Sequence, residues 1–362
     1  MLGAVFTFSG DFNRGGEMAR RATMESLVER GTFCIDRSEG LDTVDKVYID
    51  GRFYGCQTPL MPMLMAAVYF PLYYLGVTIS NHRFLVEMLL TWLFTGAAAA
   101  ATAVLMGKIF FLENNDTRRA VTIAFIFFFG TLYLSYLSVL SHHIFSGFLI
   151  FAAFYIAVYR NGNIWLLFLA GLMAGIAAVT DPPAGMAFGA GFLVYVLFER
   201  KRLAPALVYC AGILPPAAAH AAANYSISGS ITPVNVNPAY FQYAGAIFDE
   251  SNLSGVVAND TIGEFLEYGF HSLLGDRGWF SYTPLLLIGL WGVIYMLTRK
   301  QDREKGLLIV IPVSLVVIFY IWRTQNYGGA AYGNRFFLAI TPPLFAGLIF
   351  LRKKIWQGAG RV

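Results

Sequence analysis

The chain has 362 residues, of which 57% are hydrophobic and only 13% charged, with a net charge of +4. A chain so apolar and so poor in charge is not an ordinary soluble domain, and the composition predicts an all-α polytopic membrane protein. The small positive balance then reads as membrane topology rather than a nucleic-acid footprint, so no nucleic-acid partner is expected.

In chain order, residues 1–9 are apolar but far shorter than the ~20 residues a crossing helix needs. They lack a basic start and a cleavage site, and are read as the remnant of a first transmembrane helix. Residues 10–59 follow as a polar segment with nine acids and seven bases. Within it, 16–30 carries Met18, Ala22, Leu27 and Val28 at roughly helical spacing, which predicts a helix lying along a membrane surface. Residues 46–54 alternate around Asp50-Gly51, a dipeptide that favours a type I′ hairpin turn. Cys34 and Cys56 share this segment and could form a disulfide in an oxidising compartment; the other reading is two unpaired thiols. With Cys210 they make no metal-binding pattern.

Further apolar runs fall near 60–79, 85–107, 120–139, 145–159, 164–180, 184–198, 203–222, 281–298, 306–322 and 337–351, giving a bundle of about 9–10 transmembrane helices. Their connections alternate in charge. One set is basic (Lys108, Arg118 and Arg119; Arg160; Arg200, Lys201 and Arg202; Arg299, Lys300, Arg303 and Lys305; Arg352, Lys353 and Lys354). The other is nearly free of lysine and arginine: 141–143, 181–183, 223–280 and 323–336. The positive-inside rule assigns the basic set to the cytoplasm. If 60–79 crossed fully, segment 10–59 would fall on the cytoplasmic side, away from the other base-poor loops. With Pro59, Pro62 and Pro71, residues 60–79 are better read as a re-entrant or interfacial helix. The organisation is then a remnant at 1–9, a first extracytoplasmic loop at 10–59 with a juxtamembrane helix and a hairpin, the 60–79 helix, and a bundle over 80–362. Loop 223–280, with six acids and Arg277 alone, completes an extracytoplasmic cap; 261–270 within it is read as a short helix.

Acids at a membrane boundary are the first candidates for chemistry, because burying them is costly. Asp11 opens the polar segment, with Glu17 behind it as a second acid or orienting group. Asp181 stands where the 164–180 helix breaks at Pro182-Pro183. Glu87 is expected to pair with Arg83 one turn earlier. His142 and His143 are adjacent and do not share a helix face, so they make a poor metal-ligand pair and read as boundary polar residues. Arg335 closes a glycine- and tyrosine-rich run that begins at Arg323, and Arg277 precedes Trp279, Phe280 and Tyr282. Arginine's planar fork suits phosphate oxygens, and glycine lets backbone approach a ligand closely. Tyr54, Tyr327 and Tyr332 are the candidate substrate-binding aromatics. No carboxylate cluster demands a metal, no cofactor is required, and a divalent metal is left open.

The segments ERGTFCID, DGRFYG, SHHIFSGFLIFAAFY, AGLMAGIAAVTDPPA, RGWFSYTP and NYGGAAYGNRFFLAITPP follow one another in an order that resembles the GT-C glycosyltransferases. These polytopic enzymes include the protein O-mannosyltransferases and the lipid A aminoarabinose transferase. The resemblance covers nearly the whole chain. It implies an inverting transfer of a sugar from a polyprenyl-phosphate donor to a lipid, glycan or protein acceptor, in cell-envelope glycan chemistry. The site would face away from the cytoplasm in the plasma (inner) membrane. It implies further that Asp11 is the general base, that Arg335 and Arg277 hold the donor phosphate, and that Asp181 and His143 orient. Two departures stand out: Gln57-Thr58 replaces a lysine before the proline, and His142-His143 replaces an aspartate. They leave a catalytically inactive membrane subunit as an alternative, beside a transporter or flippase of an anionic lipid or sugar.

Overall fold

The computed structural model describes residues 15–160, 162–200, 203–329 and 331–351. Asp11 and the 1–9 segment lie outside the described residues.

Helix α1 (Gly15–Arg30) has Glu17 in its first turn and Arg30 in its last, the charge order a helix dipole favours. Met18 through Ser26 are all buried. The first and last turns are half-buried, and the middle of the helix is enclosed by the rest of the protein. Its polar side chains are enclosed because they find partners. Glu25 accepts from Ser38 Oγ at 2.7 Å and from Arg30 at 2.8 Å, and Thr23 donates to the Ala19 carbonyl.

Strands β1 (Lys46–Ile49) and β2 (Arg52–Gly55) pair antiparallel, with Val47 opposite Tyr54. Asp50 and Gly51 both take positive φ, 49° and 82°, as a type I′ turn requires. Val47, Ile49 and Cys56 pack with Ile227, Val234, Phe241 and Leu253 in one apolar cluster, and Tyr243 donates to the Lys46 carbonyl. The first loop and loop 223–280 therefore share a core and form a single cap. Cys34 and Cys56 are both free thiols.

Helix α2 (Leu60–Tyr74) follows, with Pro71 inside it. Its 15 residues rise about 22 Å, less than the ~30 Å bilayer core. Helix α3 (Ile79–Thr91) starts at a capping box between Thr78 and Asn81 and runs through a π turn (Trp92–Gly96) into α4 (Ala97–Asn114). His82 has non-helical φ and ψ and kinks the start of α3; beyond it the helix runs on through α4 for about 48 Å, longer than a bilayer core. The excess reaches into the cap, where Glu87 meets Arg21 of α1 at 2.5 Å and Arg83 at 3.0 Å.

The remaining helices are α5 (Thr117–Gly130), α6 (His142–Tyr159), α7 (Ile164–Thr180), α8 (Pro182–Arg200), α9 (Leu203–Ser228), α10 (Ile262–Leu273), the single turn α11 (Trp279–Tyr282), α12 (Leu285–Thr298), α13 (Arg303–Trp322) and α14 (Thr341–Phe350). Among the described residues, five helices are long and apolar enough to cross a membrane and four shorter apolar ones accompany them. The chain is an all-α polytopic membrane protein. Bundle packing leans on small residues: a Cβ on Gly171 would strike the Tyr209 carbonyl, and one on Gly212 the Phe168 carbonyl, so α7 and α9 meet backbone to backbone. Helix α10 begins at a capping box between Thr261 and Glu264, as its sequence suggests.

Two apolar runs are interrupted. The 120–139 run stops being helical at Gly130, and Leu132, Tyr133, Tyr136, Leu137 and Leu140 then continue as a buried irregular segment. The 281–298 run breaks at Thr283-Pro284. Both breaks lie beside the site described next.

Arg21 and Glu87 are 1% and 0% exposed. Glu87→Ala leaves a buried guanidinium without its counter-charge and is expected to cost roughly 3–5 kcal/mol. The expected readout is a clear drop in thermal midpoint in detergent, with a smaller drop for Arg83→Ala, whose side chain is 37% exposed.

Candidate functional site

The site lies where the cap meets the bundle and is built outward from Arg20. Arg20 sits on α1 one turn after Glu17, and its side chain is buried. It donates to Gln57 Oε1 at 2.7 Å, to His142 Nδ1 at 2.9 Å and to the Gly16 carbonyl at 3.2 Å. No carboxylate forms an ion pair with it among the described residues, and its Nε has no partner there. Gln57 in turn donates to Asp45 Oδ2 at 3.3 Å, so the amide separates the half-buried acid from the buried base. Burial, and secondarily the charge of Arg335, pull the Arg20 guanidinium down to about 10. Burial raises the Asp45 carboxyl, against the pull of Arg20 and Arg335. Burial also raises the Cys56 thiol.

The histidine pair opens α6, and its two rings lie 3.8 Å apart. Arginine can only donate, so His142 Nδ1 is the acceptor and the proton of that ring belongs on Nε2. His143 Nδ1 is 2.7 Å from Asp181 Oδ2, both side chains being buried; the carboxylate accepts, leaving His143 Nε2 as a buried lone pair without a partner. Tyr320 Oη lies 3.4 Å from the other Asp181 oxygen. Its ring stacks on Phe336 at 4.4 Å, which places Arg335 at the end of the same chain of contacts. His143 is buried and His142 half-buried, and both are held by side chains of other segments. Their surroundings come from segments tens of residues away.

Arg335 itself is exposed. The loop that carries it takes positive φ at Tyr327, Gly328, Gly329 and Gly333. At Gly328 a Cβ would stand 2.8 Å from Arg335 Cγ, so glycine is required both for the turn and for the arginine's packing. Arg277 donates to the Ala331 carbonyl and so props this loop. Tyr136 also ties this loop down, its hydroxyl donating to the Tyr332 carbonyl at 2.9 Å.

The structure therefore brings together His143, Asp181, Glu17, Arg277, Arg335 and Tyr332 from the sequence candidates. It adds Arg20, Asp45, Tyr136 and Tyr320, which no local pattern singled out, and draws in His142 and Gln57, which the sequence marked only as a boundary group and a departure. Tyr327 stacks on Tyr268 at 4.3 Å at the edge of the Arg335 loop. Tyr54 packs in the hairpin beside Cys34, away from the arginines. Gln57, which replaces the lysine of the resemblance, is held by Arg20, so a cation still stands at that point.

Donor atoms of His142, His143 and Asp181 lie within 4.8 Å of one another, close enough for one metal ion. The surroundings oppose it: Arg20 already occupies His142 Nδ1, and Arg335 adds a second positive charge nearby. Two guanidinium groups and neutral imidazoles suit an anion better than a cation.

A raised Asp45 means that ionising it costs stability, a cost absent below its unfolded value and growing as pH rises through the folded one. Asp45→Asn should therefore gain thermal stability relative to the parent between pH 4 and pH 8. A parent that gains on the variant over that range would contradict the burial argument.

No family model and no curated protein matches the chain. Solved structures do match its fold. ArnT from Cupriavidus metallidurans bound to undecaprenyl phosphate aligns over 99% of this chain and 60% of its own, with a TM-score of 0.56 and 14% identity. The oligosaccharyltransferase of Archaeoglobus fulgidus aligns over 99% of this chain and 50% of its own, with a TM-score of 0.51 and 14% identity. The chain spans 50–60% of the length of these two structures and shares their fold.

Proposed function

We propose that the protein is a membrane glycosyltransferase that moves a sugar from a polyprenyl-phosphate-linked donor to an acceptor on the extracytoplasmic side. The observation that carries this is the meeting, where cap joins bundle, of a buried arginine that has no carboxylate ion pair among the described residues with a buried histidine–aspartate pair. The GT-C fold supports it, as does the bound undecaprenyl phosphate of the ArnT structure.

On this reading the phosphate of the donor lies against Arg335, with Arg277 fixing the loop that presents it. Asp11 takes the proton of the acceptor hydroxyl as the acceptor oxygen attacks the anomeric carbon from the opposite face. The bond from that carbon to the phosphate oxygen breaks, its electron pair leaves with the lipid phosphate, and the configuration inverts. Asp181 fixes the His143 ring, whose free nitrogen is available to accept from a sugar or acceptor hydroxyl. Charge on the connections supports a cap facing away from the cytoplasm, which in turn requires the α2 region to return to the face it entered.

Sugar transfer by purified protein from a polyprenyl-phosphate donor tests the reading. Asp11→Asn should slow turnover by roughly 10²-fold or more with little change in donor affinity; full turnover in that variant removes the base assignment. Sidedness has its own check. In a background where the three cysteines are serine, Val44→Cys, on an exposed residue of the cap, should react with an impermeant maleimide from outside intact cells, and protection there reverses the topology.

A further inference from the structure

The far end of the bundle carries a groove that the transfer reading does not use. Helix α6 opens at His142 and closes at Tyr159, a rise of about 27 Å, so its last turn lies nearly a bilayer core away from the candidate site. There α4, α5 and the end of α6 border a groove of about 600 Å³. Its floor is Gly107 and Ala120, both buried. A Cβ on Gly107 would stand 2.9 Å from the Ala120 carbonyl, so the two backbones touch there and leave a slot between the flanking side chains. Val104, Phe111, Leu112, Val121 and Phe125 form its walls, and all five are exposed. The slot runs from Val104 to Leu112 on α4 and from Phe125 back to Thr117 on α5, about 12 Å along each helix. One leaflet of the hydrocarbon core is about 15 Å deep, so the slot is matched to a single leaflet.

The charge on this groove has one sign. Lys108 and Arg160 both line it and are exposed, and neither forms an ion pair among the described residues. The acids close by have other partners. Glu113 pairs with Lys305 and accepts from Tyr159 at 2.6 Å, and Asp116 caps α5 and pairs with Arg119. Arg160 Nε donates at 3.3 Å to the hydroxyl of Tyr155, which also lines the groove, so the guanidinium is held at the slot. An ordinary lipid-facing surface has apolar walls without such a pair of bases. Two unneutralised cations on an apolar slot of one leaflet's depth complement a phosphate with an acyl chain beneath it.

We propose that this groove holds one anionic glycerophospholipid, with its phosphate between Lys108 and Arg160 and an acyl chain along Gly107 and Ala120. It is a separate site from the one that the transfer reading gives to the donor phosphate at the cap.

The test uses the full chain in detergent and two lipids with the same acyl chains, phosphatidylglycerol and the net-neutral phosphatidylcholine. Native mass spectrometry should show one phosphatidylglycerol retained under conditions that strip phosphatidylcholine. A ligand bound to the folded state alone raises its stability, so phosphatidylglycerol should also raise the thermal midpoint further than phosphatidylcholine does. Lys108→Gln combined with Arg160→Gln should lower phosphatidylglycerol affinity by about tenfold or more and leave phosphatidylcholine unchanged. Val104→Trp, at a position 57% exposed, fills the slot with both bases intact and should lower phosphatidylglycerol affinity as well. Arg303→Gln removes an exposed base from another connection and should leave that affinity unchanged.

Equal retention of the two lipids, or a preference that survives the double variant, overturns the proposal. Competition by a polyprenyl phosphate at equal or higher affinity would assign the groove to the donor's lipid, and a dimer that Val104→Trp splits would assign it to a second copy; either result overturns it too. Sugar transfer is not the readout, so the transfer reading stands or falls separately.

Discussion

Two consecutive arginines on one enclosed helix set the terms for the rest of this structure. Arg20 and Arg21 point to different sides of α1, and both are buried. Placing even one guanidinium in protein interior is costly unless charge or hydrogen bonds answer it. Arg21 is answered by Glu87, at the end of a helix that outreaches the bilayer core, and that pairing fastens the cap to the bundle. Arg20 is answered only in part, and what surrounds it is the candidate site. The same helix thus anchors the cap with one side chain and equips the site with the next.

The cap explains why so many segments are needed to build one site. Hairpin β1–β2 is too small to be stable by itself; it gains a core only by packing on loop 223–280. That loop is tied to the segment after α13 through Asn259, whose amide donates to the Ile321 and Thr324 carbonyls, and through Arg323 on the Gly255 carbonyl. The segment after α13 carries Arg335. Position and orientation of the exposed arginine therefore depend on contacts running back to the first loop, and the buried arginine lies in that loop.

Much of this was legible in the sequence wherever the determining interaction was local. Asp50-Gly51 announced the hairpin because both residues tolerate positive φ. The stretch 261–270 read as a short helix, and α10 forms there; Arg83 and Glu87 announced their pair at one helical turn. Apolar runs announced the bundle. What the sequence did not disclose shares one cause, long sequence separation. Met18, Ala22, Leu27 and Val28 gave α1 a surface-helix look because nothing nearby disclosed that Glu87, Ser38 and His142 would meet its charged side chains. Adjacent histidines looked like boundary groups because their partners, Arg20 and Asp181, are 122 and 38 residues away. Gln57 looked like the loss of a cation because the replacing charge comes from a helix, not from the loop. Charge complementarity across such distances has no periodicity to read.

The central claim is spatial: the phosphate of a lipid-linked sugar sits against Arg335, where the cap meets the bundle. A structure of the protein with a long-chain polyprenyl phosphate bound tests it most directly. The account predicts the phosphorus within hydrogen-bonding reach of Arg335, with the lipid tail running out between helices of the bundle. A phosphate found away from the Arg335 loop would contradict it.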